Sequence, residues 1–202
     1  KVLVVPPVDR WINGQLSFKQ IKKIKIEEFL EREPIHLDGH VVRKDLLNKT
    51  ILITGAAGSI GSEIVHQVMK YDFKHLIMID NAESPMFYLE MSLSDSYQRK
   101  SYESYIGDIC DKTFMENIFQ KYKPDVVYHA AAYKHVPLME KNPMQAVKVN
   151  ILGTKVLADL SVKYDVKKFI MISTDKAVNP TNVMGASKRI AEIYVQSFGE
   201  KY

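Results

Sequence analysis

The sequence of 202 residues holds a single cysteine. That excludes an internal disulfide and a cysteine-based zinc site, and it suits a reducing compartment. No metal site is expected. No apolar run approaches the roughly 20 residues that a membrane span requires, and the longest runs are strand-sized. There is no signal-peptide pattern, no internal repeat and no low-complexity tract. Neither sign of charge dominates, with 28 Lys+Arg against 24 Asp+Glu leaving a net +4. A nucleic-acid binder would carry a basic stripe with interleaved aromatics, which is missing, so no nucleic-acid partner is expected. Lys19, Lys22, Lys23 and Lys25 form a local basic run, but Glu27, Glu28, Glu31 and Glu33 follow at once. That pattern reads as a solvated face, with contact to a membrane surface as the alternative.

What is present is ordinary globular material, 46% apolar and 26% charged, long enough to bury a sizeable core in one or two domains. The first residue is Lys1, and we expect the chain to be an excerpt of something longer. Residues 1–48 differ in texture from the rest. Val2 to Val5 is a short β-like run stopped by Pro6 and Pro7, and a polar stretch with the only tryptophan, Trp11, leads to Ile21 to Leu30. We read 1–48 as the end of a preceding domain plus a connector, and 49–202 as a nucleotide-binding domain.

From Lys49 onward, strand-like runs alternate with helical patterns. This is the signature of an α/β fold, a doubly wound parallel sheet with helices on both faces. Strands are expected over Thr50 to Thr54, Leu76 to Ile79, Ser104 to Ile106, Val126 to His129 and Phe169 to Ile172, with apolar continuity that suggests burial on both faces. Helices are expected over Ser59 to Lys70, Pro85 to Tyr97, Lys112 to Gln120, Pro143 to Lys163 and Gly185 to Phe198. Asn142 reads as an N-cap with proline at the first helical position.

The first strand runs into Gly55-Ala56-Ala57-Gly58-Ser59-Ile60-Gly61. Gly55 and Gly58 permit a tight turn and close approach of backbone to a diphosphate, and Gly61 lets the helix pack closely. The helix start offers free N–H groups and partial positive charge to phosphates. Asp80 closes the second strand, where a carboxylate accepts the ribose hydroxyls of adenosine and repels a 2′-phosphate. No Arg or Lys lies in Asp80-Asn81-Ala82-Glu83-Ser84, so NAD is favoured over NADP. The competing reading makes Asp80 a cap for the next helix. Asp108 and Ile109 end the third strand on the adenine side, and Ala130, Ala131 and Ala132 follow the fourth, where small side chains let a dinucleotide lie across the strand ends. Alanines there are also routine packing.

The segments that narrow the function are Ala131-Ala132-Tyr133-Lys134-His135-Val136-Pro137, Ser173-Thr174-Asp175-Lys176-Ala177, Asn179-Pro180 and Met184-Gly185-Ala186-Ser187-Lys188. With the glycine loop they resemble the extended short-chain dehydrogenase/reductase superfamily, with Met184 standing where the Tyr-x-x-x-Lys motif has tyrosine. More narrowly, the chain resembles the bacterial UDP-N-acetylglucosamine 4,6-dehydratase and polysaccharide biosynthesis family, in its large membrane-anchored subgroup. The resemblance implies a Rossmann-like fold whose substrate-binding C-terminal part is missing here, bound NAD, a UDP-sugar substrate, a homo-oligomer, and a whole protein at the cytoplasmic face of the inner membrane.

The resemblance also implies roles. Such enzymes oxidise the sugar at C4, which makes the C5 proton acidic; a base removes it while an acid protonates the departing C6 hydroxyl, and C6 is then reduced. By resemblance Asp175 is the acid and Lys176 the base. A thioether at Met184 cannot take the O4 proton, so Thr174, directly or through water, and Lys188 are expected to handle it, Lys188 also holding the nicotinamide ribose. Lys134, His135 and Asn179 are assigned to the substrate. Asn150, inside the long helix, also matches a polar position typical of the superfamily. The plainer readings are a core methionine at 184, a solvated Lys134, a structural His135, a locally bonded Asn150 and a Cys110 that acts as a small buried hydrophobe. Two rival functions remain: a sugar-nucleotide 4-epimerase or oxidoreductase, which needs no C5 base or C6 acid, and an NAD-binding module without turnover. The excerpt is expected to have little activity alone.

Overall fold

The computed structural model describes residues 3–4, 22–23, 39–97 and 101–199. The chain divides into two units, 1–39 and 40–202. In the first, two-residue strands β1 (Leu3–Val4) and β2 (Lys22–Lys23) pair antiparallel. Trp11, most of the run from Ile21 to Leu30 and most of the charge run around it lie outside the described residues.

From the boundary onward the chain runs α1 (Gly39–Leu46), whose first residue closes the first unit, then β3 (Thr50–Thr54), α2 (Ser59–Val68), β4 (His75–Asp80), α3 (Glu83–Ser96), β5 (Tyr102–Ile106), α4 (Lys112–Tyr122), β6 (Val126–His129), α5 (Val136–Lys141), α6 (Pro143–Ala146), a π-helical segment (Val147–Gly153), α7 (Thr154–Lys163), β7 (Lys168–Met171), a 3₁₀ turn (Asp175–Ala177) and α8 (Val183–Gly199). The five strands β3 to β7 form one sheet in the order β5-β4-β3-β6-β7, with every pair parallel. The order reverses between β3 and β6, so the crevice at their carboxyl ends is the switch point where ligands of such sheets bind.

Side chains of β3 alternate between two cores, as the pleat of a strand requires. Ile51 and Ile53 join Val65, Val68, Leu76, Met78 and Leu93 on one face. Leu52 joins Ile77, Ile79, Met115, Phe119, Val127 and Leu157 on the other. Helices therefore cover both faces, as the alternation of strands and helices indicated. The expected burial holds for β3, fully buried along its length, and for the middle of β4. It fails for β5 and β7, which are only partly buried because, among the described residues, each pairs with a strand on one side.

Boundaries differ in informative ways. Helix α1 was not anticipated; its Leu46 is 2% exposed and packs with Ile51 and Val68. Helix α8 starts two residues before Gly185 because Asn182 Oδ1 accepts the Gly185 N–H at 2.8 Å. Asn142 does not cap α6 through its side chain, since its Nδ2 donates instead to Leu138 O at 2.9 Å. Proline at the first position of α6 is as expected. The helix read as Pro143 to Lys163 is continuous but widens to π geometry in its middle. Among the described residues, no helix is long and apolar enough to cross a membrane.

The turn from β3 into α2 is built on backbone proximity. Gly55 has φ +68, and a Cβ there would lie 2.4 Å from Ala131 N. At Gly61 a Cβ would lie 1.9 Å from Gly55 O, whereas at Gly58 the nearest atom is that same oxygen at 3.2 Å. Overpacking of a fixed backbone costs about 1–3 kcal/mol. Gly61→Ala is expected to lose stability in that range in urea unfolding, and Gly58→Ala clearly less.

Candidate active site

Two adjoining clefts lie over the carboxyl ends of the strands. The first, about 270 Å³, is walled by the Gly55–Gly58 loop, Asp80, Asn81, Asp108, Ile109 and the alanines 130–132. The second, about 340 Å³, is walled by Ser59, Ile60, Lys134, Thr174, Lys176, Met184 and Lys188. Ala130, Ala132 and Tyr133 line both. The two alanines form a floor of small side chains over which one cleft leads into the other, and Tyr133 is a wall common to both.

The first cleft is made mostly of backbone. No side chain caps α2 at Gly58, so the N–H groups of its first turn have no side-chain acceptor at the cap. Asp80 does two things at once. Its Oδ2 accepts the Ala57 N–H and its Oδ1 the Ala82 N–H, each at 3.0 Å. The carboxylate thus ties the glycine loop to the start of α3, although Ala82 rather than Asp80 occupies the cap position. Asp108 is engaged in a similar way, by Cys110 N at 2.9 Å and Lys148 Nζ at 3.4 Å. Burial works to raise its carboxyl, and these two donors outweigh burial and hold it below the usual range. The Cys110 thiol is partly buried and donates to Lys148 O at 3.3 Å. Burial, with Asp108 nearby, pushes it up to about 12, so it is an inert thiol.

The second cleft collects the reactive groups. Lys188 and Met184, four residues apart on α8, share the face that lines it. Lys188 is 4% exposed and donates to Ile172 O at 2.8 Å. Desolvation brings its amine down to about 8, against a small opposing pull from Glu192. Met184 is 2% exposed and packs with Met139 and Ala146. It is therefore at once a core methionine and an apolar wall of the cleft. A Cβ at Gly185 would lie 2.2 Å from Lys176 O, so the start of α8 presses directly on the 3₁₀ turn.

On that turn Thr174 Oγ1 donates to Asp175 Oδ1 at 2.9 Å, and Lys176 Nζ lies 3.4 Å from the same oxygen. The Thr174 hydroxyl, then the Lys176 ammonium, hold the Asp175 carboxyl below its ordinary value. Asp175 is exposed and is a carboxylate here. Lys134 is exposed and its Nζ reaches Ser59 Oγ at 3.3 Å, across the helix start. His135, Asn179 and the expected acid Asp175 line neither cleft, Asp175 standing exposed beside the second one between Thr174 and Lys176. His135 opens α5 through its backbone, and Asn179 is a loop residue at φ +47.

The sequence motifs did not assign Tyr133, Val149, Ile172 or Ser173 to the site. Nor did they show that Asn150 is fully buried and clamps Tyr133, accepting from its N–H at 2.8 Å and donating to its carbonyl at 3.0 Å. Ser173 gives its proton to Glu192 Oε1 at 2.5 Å.

Residues 51–202 match the polysaccharide biosynthesis protein family. The chain belongs to that family. It is 47% identical over 197 residues to the capsular polysaccharide biosynthesis protein CapD of Staphylococcus aureus, covering 97% of this chain and 33% of CapD. It is 38% identical over 141 residues to the UDP-N-acetylglucosamine 4,6-dehydratase (inverting) of Campylobacter jejuni, covering 69% of this chain and 40% of that enzyme. Its fold is similar to the UDP-glucose 4-epimerase of Bifidobacterium longum, solved in complex with NAD+ and UDP, with TM-score 0.65 and 26% identity over 75% of this chain and 49% of that one. The chain therefore spans less than half the length of these relatives. The family and the Rossmann-like fold are those that the motifs indicated.

Lys188 leaves a pH signature. Its folded value near 8 lies below the 10.5 of an ordinary lysine, so between these values the unfolded chain binds more protons and stability rises with pH. Lys188→Met removes that contribution. In paired urea titrations the wild type is expected to gain on the variant by about 2 kcal/mol between pH 7 and pH 10, at about 1.4 kcal/mol per pKa unit.

Proposed function

We propose that this chain is the cofactor-binding and proton-handling part of an NAD-dependent 4,6-dehydratase. Its substrate is a UDP-sugar, best matched by UDP-N-acetylglucosamine, converted to a 4-keto-6-deoxy sugar nucleotide for bacterial polysaccharide. The observation that carries this reading is the continuity of the two clefts: a backbone-lined half ending in a carboxylate opens into a half that gathers Lys188, Thr174, Lys176 and Met184. The resemblance to the membrane-anchored subgroup further supports a homo-oligomer at the cytoplasmic face of the inner membrane.

The residues fit a dinucleotide. The uncapped start of α2 suits a diphosphate, and the Lys134 ammonium near Ser59 adds a positive charge beside it. Each Asp80 oxygen accepts one backbone N–H and keeps a lone pair for a ribose hydroxyl. When bound, the nicotinamide supplies the two-electron acceptor, and later donor, that sugar oxidation and reduction need.

The chain's own groups divide the remaining work. Lys188, with an amine near 8, is charged or neutral at little cost around neutral pH. That suits it to hold a ribose hydroxyl and, with Thr174, to draw off the O4 proton. Met184 takes no proton and keeps this part of the cleft dry. Asp175 and Lys176 are an ion pair in open water, the wrong protonation state for an acid and a base. Covering by the sugar penalises both charges, and moving one proton from Lys176 to Asp175 yields the neutral acid and neutral amine required, with no change in proton count. The same pair distinguishes this reading from a 4-epimerase, which has no task for it.

Incubating the full-length protein with UDP-N-acetylglucosamine is expected to give a product lighter by one water. An unchanged mass with inverted C4 would establish epimerisation, and tight NAD binding without exchange of sugar hydrogens would establish a binding module. In titrations NAD is expected to bind about 10-fold tighter than NADP, and Asp80→Asn to weaken NAD by a similar factor, about 1.4 kcal/mol.

A further inference from the structure

Beneath the floor shared by the two clefts runs a buried polar chain to which the catalytic scheme gives no task. Thr54, His129, Asn150 and Thr154 are all fully buried. His129 Nδ1 lies 2.8 Å from Thr54 Oγ1, and its Nε2 lies 2.9 Å from Thr154 Oγ1. Thr154 Oγ1 donates to Asn150 O at 2.7 Å. A hydroxyl has one proton, so towards His129 Thr154 can only accept. Nε2 therefore carries the imidazole proton, and Nδ1 accepts from Thr54.

Buried polar groups of this kind are costly unless all are satisfied, and a satisfied network selects one arrangement of the elements it joins. Here those elements are β3, β6, the π segment and the first residue of α7. The π turn is wider than an α turn, and the Thr154 hydroxyl at the start of α7 reaches back to the Asn150 carbonyl inside the π segment. On the other side of the same residue, the Asn150 side chain holds both backbone polar groups of Tyr133 and donates to Ser187 Oγ at 2.9 Å. Ser187 in turn donates to Met184 O at 2.7 Å and is the neighbour of Lys188. We infer that His129 is a positioning residue, which with Thr154 sets the π turn so that Asn150 aligns Tyr133, the wall common to both clefts, with the helix that carries Lys188.

Two observations separate this role from proton transfer. His129 touches neither cleft. Burial, reinforced by the charge of Lys188, pushes its imidazole down to about 3, so it stays a neutral, fixed donor and acceptor at working pH. The consequence for turnover rests on the proposed function, whereas the alignment itself does not.

The test uses amide hydrogen exchange on the full chain. Thr154→Val keeps the shape and removes the hydroxyl, and Thr154→Ser restores it. The Tyr133 amide is expected to exchange about tenfold faster in T154V and to return to about the wild-type rate in T154S, while the amide of Ile77 in the buried middle of β4 changes little. Equal acceleration of both amides would mean a global loss of stability and would overturn the inference, as would no change at Tyr133. NAD affinity in T154V is expected to fall about fivefold. If the wild-type chain does not bind NAD, the proposed function fails while the exchange result still decides the alignment. Should T154V not fold, nitrogen-15 correlation spectra of wild-type His129 decide: an Nε2–H tautomer is expected, and an Nδ1–H tautomer overturns the inference.

Discussion

The site depends on the closeness of three backbone segments at the switch point of the sheet. Gly55 turns β3 into α2 with a positive φ, its carbonyl lies against Gly61, and its Cα faces Ala131 at a distance that no side chain would tolerate. Remove that approach and the start of α2 retreats from the strand ends, taking with it the uncapped N–H groups and the floor of the cleft. The Asp80 carboxylate completes the arrangement by fastening Ala57 of the same loop. The turn is held by glycine shape, by that carboxylate, by the Ala56 N–H donating to Ile79 O at 3.1 Å and by the Ala56 side chain buried in the core beneath it.

Away from that point the structure spends polar groups where an apolar core would be simpler. Lys188 is buried against a backbone carbonyl, Asn150 clamps the Tyr133 backbone, and His129 sits between two threonines. Each lies under or beside the clefts, and the apolar clusters on the two sheet faces surround them. Stability is thus supplied by the sheet and its helices, and the polar set fixes where the floor and the Lys188 helix stand. The ion pair of Asp175 and Lys176 is the exception, exposed and held by neighbours on its own short turn.

Much of this was legible in the residue order. The five strands of the sheet and the main helices followed from alternating apolar runs because local periodicity reports which side of an element is buried. The edge positions of β5 and β7 did not follow, since pairing order is a long-range property. Helix α1 was missed because its sequence, Gly39 to Leu46, has little apolar content and owes its place to Leu46 packing on β3 and α2. Asn142 carries every local sign of a cap, yet its side chain turns back to Leu138, a choice set by the preceding helix α5.

By itself the sequence determined the fold class, the family, the glycine loop with its acid at Asp80, and the pairing of Met184 with Lys188, because each depends on residue type at short spacing. Only the tertiary structure decided that Lys134 reaches Ser59, that His135 and Asn179 stay outside the clefts, that Asp175 is ionised beside Thr174, and that Asn150 and His129 lie in one hydrogen-bonded chain. Those facts rest on distances between residues far apart in the chain and on how much water each group keeps. Neither quantity is encoded in any one stretch of sequence.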